Sequence, residues 1–189
     1  MYPKIRVIAH NQLIRLRQHL KQGGICAYPT EYCFGLGGLP DHPAAIRKIL
    51  RLKKRAQHKG LIVLADRIQK ITPYIQPLNS EQKTQIKRYW PGANTLLLPA
   101  SRRTLPILRG YQHRKLAVRI SAHPPSIWLC QQLDSALIST SANQAHARPI
   151  KDFRKLKKQF KGIFAIKAPL GKNKRPSTII DLAKGDILR

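Results

Sequence analysis

Lys53, Arg55 and Lys59 crowd cations into one short segment, directly before the apolar run Leu61 to Ala65. Cations so spaced can converge on phosphates from a loop, Arg as a planar fork and Lys as a point charge. The same residues also suit a solvated basic helix end, favoured by the helix dipole. Ser139-Thr140-Ser141-Ala142-Asn143 follows an apolar run and offers hydroxyls and an amide to ligand oxygens. A helix N-cap or turn would use the same residues. Tyr28-Pro29-Thr30-Glu31 leads into Phe34-Gly35-Leu36-Gly37, where glycines let backbone approach a ligand closely. An ordinary glycine-rich turn reads equally well there. Pro176-Ser177-Thr178 places a polar pair at the entry to another apolar run.

Composition narrows the chemistry. The chain has 189 residues, 36 Lys or Arg against 8 Asp or Glu, and a formal net charge of +28. Such an excess favours polyanions: RNA, nucleotides or acidic membrane surfaces. The carboxylates are scattered, so a site built on several of them, such as a two-metal nuclease, is disfavoured. Cys26, Cys33 and Cys130 form no C-x-x-C pair, which argues against structural zinc and a disulfide framework. No apolar run is long enough to span a bilayer, and Met1 to Arg6 lacks the apolar stretch of a signal peptide. The expectation is a reduced, cytoplasmic protein with no membrane partner.

These groups need elements to hold them. The pattern alternates helix and strand: helices over 11–22, from Asp41 through Leu52, from Asn79 or Ser80 to about Tyr89, near Pro124-Pro125, and over 150–160. Strands are expected at Ile25–Tyr28, Leu61–Ala65, Thr95–Leu98, Leu116–Ile120, Ala136–Ser139, Ile163–Ile166 and Thr178–Ile180. With 42% hydrophobic residues and no linker-like stretch, residues 1–189 read as a single α/β domain with a mixed sheet. No P-loop is present, and Pro40 stands where a dinucleotide fingerprint needs its third glycine.

Taken in order, the groups resemble the YrdC (TsaC) family of threonylcarbamoyl-AMP synthases. The resemblance rests on Tyr28-Pro29-Thr30-Glu31, Phe34 to Gly37, Lys53-x-Arg55 with Lys59-Gly60, and Trp90-Pro91-Gly92. It continues through Leu116 to Arg119, Ser139 to Asn143, Pro176-Ser177-Thr178 and Ile187-Leu188-Arg189. It implies a twisted mixed β-sheet with flanking helices and a basic concave surface, in the short single-domain form. It implies a nucleotidyltransferase that makes L-threonylcarbamoyladenylate and pyrophosphate from L-threonine, bicarbonate and ATP. The product would serve the N6-threonylcarbamoyl modification of adenosine 37 in tRNA, through threonylcarbamoyl-transfer proteins.

By that resemblance Lys53, Arg55, Ser141 and Asn143 form the catalytic tetrad of the nucleotide site, with Lys59 and Arg189 as further ATP contacts. Thr30 and Ser177 resemble the threonine-binding positions; Ser139 is expected to present backbone or hydroxyl to threonine, and Arg119 suits either the amino acid carboxylate or a strand-end surface position. Mg2+ would be held mainly by ATP oxygens, with no metal site on the protein itself. Two departures stand out: Ala145-His146 replaces a usual Ser-Gly, and Ala56 stands where Pro is common. The competing reading is a non-catalytic RNA-binding protein of the same fold, acting on tRNA or rRNA; the intact tetrad argues against it.

Overall fold

The computed structural model describes residues 7–145 and 147–188. Its strands are β1 (Cys26–Pro29), β2 (Phe34–Gly37), β3 (Ile62–Ala65), β4 (Asn94–Pro99), β5 (Lys115–Ile120), β6 (Leu137–Ser141), β7 (Phe164–Ala165) and β8 (Thr178–Asp181). They form one eight-stranded sheet in the order β7-β1-β2-β6-β3-β5-β4-β8. The pairs β1–β7, β3–β5 and β4–β8 are parallel and the others antiparallel. The expected mixed sheet is what forms.

Side chains alternate across a strand, so pairing partners define two faces. On one face Val63 pairs with Ile138 and Val118, and Leu96 with Val118 and Ile180. These side chains join the main core, together with Ile46, Ile49 and Leu50 of helix α2 (Pro43–Lys53). Ile86 of α3 (Ser80–Ile86), Leu108 of α4 (Pro106–Arg109) and Leu156 of α6 (Phe153–Gln159) complete that layer. Each fully buried Ile or Leu contributes roughly 1.5–3 kcal/mol.

The opposite face is covered only in part. There Cys26, Tyr28, Leu64 and Leu137 pack with Leu16 and Leu20 of α1 (His10–Lys21) and with Leu129 and Cys130 of α5 (Pro124–Leu133). Beyond them the positions on this face are Ser139 and Ser141 of β6, Ile62 of β3, Ala117 of β5, Leu97 of β4 and Asp181 of β8, none of which joins the cluster under α1 and α5. Across the sheet these form a row: Ser139 pairs with Ile62, Ile62 with Ala117, Ala117 with Leu97, and Leu97 with Asp181.

Two elements differ from the sequence expectation. Phe34 to Gly37 is a strand rather than a glycine-rich turn. Its glycines carry no side chain to signal a strand, yet the sheet needs them bare. A Cβ on Gly37 would sit 2.5 Å from a Tyr28 ring carbon. Strand β6 also runs on through Ser141, so the hydroxyl cluster is itself strand and not the loop after it. The short α4 and the single turns at 57–59, 68–70 and 72–74 carried no clear periodicity.

Candidate functional site

The uncovered half of the sheet face is the floor of a cavity of about 690 Å3. That volume falls in the range of roughly 300–1,000 Å3 usual for small-molecule sites. Ile62, Leu97, Ala117, Ser139, Ser141 and Ile179 line the floor. Arg55, Lys59, Arg109, Arg114, Lys115, Arg119 and Lys184 ring it, and Asp181 is the one carboxylate among the lining residues. Converging charge of one sign in a concave wall focuses the field and concentrates anions.

The expected tetrad divides between the wall and what stands behind it. Arg55 and Ser141 line the cavity, as does Lys59. Lys53 and Asn143 do not. Lys53 is buried at the end of α2, and its Nζ donates to the carbonyl oxygens of Ser141 and Asn143 and to Asn143 Oδ1. Ser141 Oγ donates to the same Asn143 Oδ1. Burial, reinforced by the nearby Arg55 charge, lowers the Lys53 pKa to about 8. Arg55 Nε donates to the Gly60 carbonyl at 3.1 Å and its NH2 to the Lys59 carbonyl at 3.0 Å, which shapes the loop carrying both cations. Gly60 is required there: its φ is +57°, and a Cβ would strike the Arg109 carbonyl.

The four expected threonine-binding residues all line this cavity. Thr30 Oγ1 donates to the Cys33 carbonyl at 2.7 Å, and Ser177 Oγ lies 2.8 Å from Thr95 Oγ1. Ser139 sits on β6 beside Gly35 of β2, the glycine leaving room between Thr30 and Ser139. Arg119 is buried: Nε donates to the Gly92 carbonyl at 2.9 Å, and NH2 lies 2.7 Å from Glu31 Oε1. Burial pulls its pKa down, and the Glu31 charge opposes that pull. Arg189 and His146 lie outside the described residues.

Some site residues carried no assignment from sequence. Glu31 is buried under Thr30, where Ser121 Oγ donates to it at 2.7 Å. Its neighbour Gly171 has no room for a side chain against the Glu31 backbone, and Gly171 N donates to the Thr30 carbonyl at 3.0 Å. Lys115 and Asp181 form an ion pair inside the cavity. Burial works to raise the Asp181 pKa, but hydrogen bonds and charge from Lys115 leave it lowered. Strand alternation offered the clue: Lys115 shares a face with Arg119, and Asp181 with Ser177.

Asp181 is thus held by Lys115 and Glu31 Oε1 by Arg119 and Ser121, while Glu31 Oε2 is buried with no hydrogen-bond partner among the described residues. Among the described residues no group of three or more His, Cys, Asp or Glu could hold a metal ion. No helix there is long and apolar enough to cross a membrane.

A family model described as "Telomere recombination", that of the Sua5, YciO and YrdC proteins, matches residues 18–189. A threonylcarbamoyl-AMP synthase of Chromobacterium violaceum is 47% identical over 176 residues, covering 93% of this chain and 91% of its own. One from Neisseria meningitidis serogroup A is 41% identical over 185 residues, covering 97% and 98%. Among solved structures, P. abyssi Sua5 complexed with L-threonine gives a TM-score of 0.86 at 24% identity. That match covers 97% of this chain and 55% of the P. abyssi chain, so this chain spans about half its length. E. coli YciO gives a TM-score of 0.79 at 18% identity, covering 92% of this chain and 84% of its own. At these identities the two structures establish the fold alone. Since the family match runs from within α1 to the last residue, and synthase relatives align over nearly the whole length, the chain belongs to the Sua5/YciO/YrdC family.

Proposed function

We propose that the chain joins L-threonine, bicarbonate and ATP into L-threonylcarbamoyladenylate with release of pyrophosphate, as a nucleotidyltransferase. The observation that carries this reading is one cavity in which Thr30, Arg119, Ser139 and Ser177 share walls with Arg55, Lys59 and Ser141. An amino acid and a triphosphate need those two kinds of wall side by side. The 47% identity to a synthase over 93% of the chain supports it.

The balance is simple. Bicarbonate condenses with the threonine amine to a carbamate, with loss of water. A carbamate oxygen attacks the α-phosphorus of ATP, and the bond to the β-phosphate bridging oxygen breaks. Negative charge then grows on the departing pyrophosphate. Arg55 and Lys59 are fixed cations beside that charge, and fixed donors lower a barrier where charge develops. Arg119 has the fork geometry for the threonine carboxylate. A carbamate is already anionic, so no general base is invoked. Mg2+ would arrive with ATP as part of the substrate, held mainly by phosphate oxygens. The adenylate then passes to threonylcarbamoyl-transfer proteins acting on adenosine 37 of tRNA in the cytoplasm.

Pyrophosphate release tests this directly. Purified protein with Mg2+, ATP, bicarbonate and threonine should release pyrophosphate, and leaving out threonine should stop it. Release without threonine, or none with every substrate present, defeats the synthase reading.

A further inference from the structure

We propose that Lys53 is a positioning residue that holds the Ser141–Asn143 end of β6 from behind the cavity wall and does not itself touch the phosphates. The inference rests on the synthase reading only for the activity that is measured. Lys53 is 4% exposed and does not line the cavity, whereas Arg55, Lys59 and Ser141 do. An ammonium group has three N–H donors. All of them are used: on the Ser141 carbonyl, on the Asn143 carbonyl at 2.9 Å and on Asn143 Oδ1 at 3.0 Å. The backbone returns the contact, with Ala145 N donating to the Lys53 carbonyl at 2.8 Å. No donor remains for a phosphate oxygen.

What this knot fixes is the Ser141 edge of the cavity floor. Asn143 Oδ1 accepts from Lys53 and from Ser141 Oγ, while Asn143 Nδ2 donates to the Ala147 carbonyl. The direction of the Ser141 hydroxyl therefore depends on Asn143, and Asn143 depends on Lys53. A misplacement of about 1 Å at a reacting centre can cost roughly 10²-fold in rate. The knot also needs the charged form of Lys53. A neutral amine has fewer N–H donors than the acceptors to be served, and its lone pair would face a carbonyl. Burial and the Arg55 charge favour the neutral form, and Cys33 is the other titratable group that acts on Lys53. The positioning should fail as pH rises through about 8.

The experiment compares wild type, Lys53→Met, Arg55→Met, Asn143→Ala and the Lys53→Met/Asn143→Ala double variant. Calorimetry gives the ATP dissociation constant, and pyrophosphate release gives kcat. Lys53→Met should change ATP affinity by less than about threefold and lower kcat by roughly 10²-fold. Arg55→Met should weaken ATP binding by more than about tenfold. The double variant should be no slower than the worse single one, because the residues act as a unit. Independently of activity, the Asn143 side-chain amide in nitrogen-15 spectra should shift with a midpoint near pH 8 in wild type. That shift should vanish in Lys53→Met. ATP affinity lost as fully in Lys53→Met as in Arg55→Met, additive kcat losses, or an Asn143 amide indifferent to pH would each overturn the proposal. If wild type releases no pyrophosphate the synthase reading fails, and the amide titration still decides the positioning role.

Discussion

Glu31 is a carboxylate buried beside a cavity ringed with cations, at 7% exposure. Its Oε1 meets Arg119 NH2 at 2.7 Å, Ser121 Oγ at 2.7 Å and the Ala122 N–H at 3.3 Å. The physical sense is compensation. Arg119 is itself buried, and an unpaired buried guanidinium would be costly. Glu31 compensates that charge and, with the Gly92 carbonyl, fixes its direction. Breaking such a pair by removing one partner typically costs about 3–5 kcal/mol, because the other charge is left uncompensated. Glu31→Ala should therefore lower the unfolding free energy in denaturant by about that amount. The Glu31→Ala/Arg119→Ala double variant should lose clearly less than the sum of the two single losses. A Glu31→Ala loss under about 1 kcal/mol would mean that the ion pair does not hold the wall. Sequence showed Glu31 next to Thr30 but not its partner, because Arg119 reaches it only through the pairing of distant strands.

At the scale of elements, the loop after α2 decides where Arg55 and Lys59 point. It is closed by Arg55 onto the Lys59 and Gly60 carbonyls, and it packs against the 109–110 turn, where Gly110 has φ +87°. Ala56 begins its single helical turn with φ −60°, the angle a proline ring imposes, and its residue is exposed. The absence of the family's proline thus leaves the loop in a proline-like shape. Ala56→Pro should stabilise the protein by about 0.4–1 kcal/mol, through a less free unfolded chain. In a thermal melt that is a rise of up to about 4 °C. A lowered melting temperature would show that the loop needs the residue 56 N–H or a freer Arg55. This loop also marks how far sequence could reach. Apolar runs and helical spacing placed most of the strands and the longer helices, because burial writes a period into the chain. Phe34 to Gly37 escaped, since glycine carries no such period. The grouping of Lys53 with Ser141 and Asn143 was expected from the family resemblance, and the three do meet. The tetrad's split into wall and backing was not legible, since burial of Lys53 depends on β6 running on through Ser141.

At the scale of the molecule, the net charge of +28 is far more than one cavity uses. The cations of the cavity account for a share of it. A second, shallower hollow of about 500 Å3 lies along α2, lined by Arg47, Arg51 and Lys54 and reaching Arg55, which borders both spaces. Arg47, Arg51 and Lys54 are exposed, and no ion pair among the described residues includes them. Such a strip next to the cavity suits the phosphates of an RNA strand, as expected if the chain works beside tRNA. Each phosphate contact adds about 0.7–0.9 to the steepness with which affinity falls against salt on a logarithmic scale. Total tRNA should therefore bind with an affinity that drops sharply between low and physiological salt. The Arg47→Ala/Arg51→Ala/Lys54→Ala variant should reduce that slope by about two, with pyrophosphate release unchanged at saturating substrates. A slope that the triple variant leaves untouched places the RNA elsewhere on the surface. Binding indifferent to salt removes charge as its cause, and leaves the excess of lysine and arginine without a role in tRNA recognition.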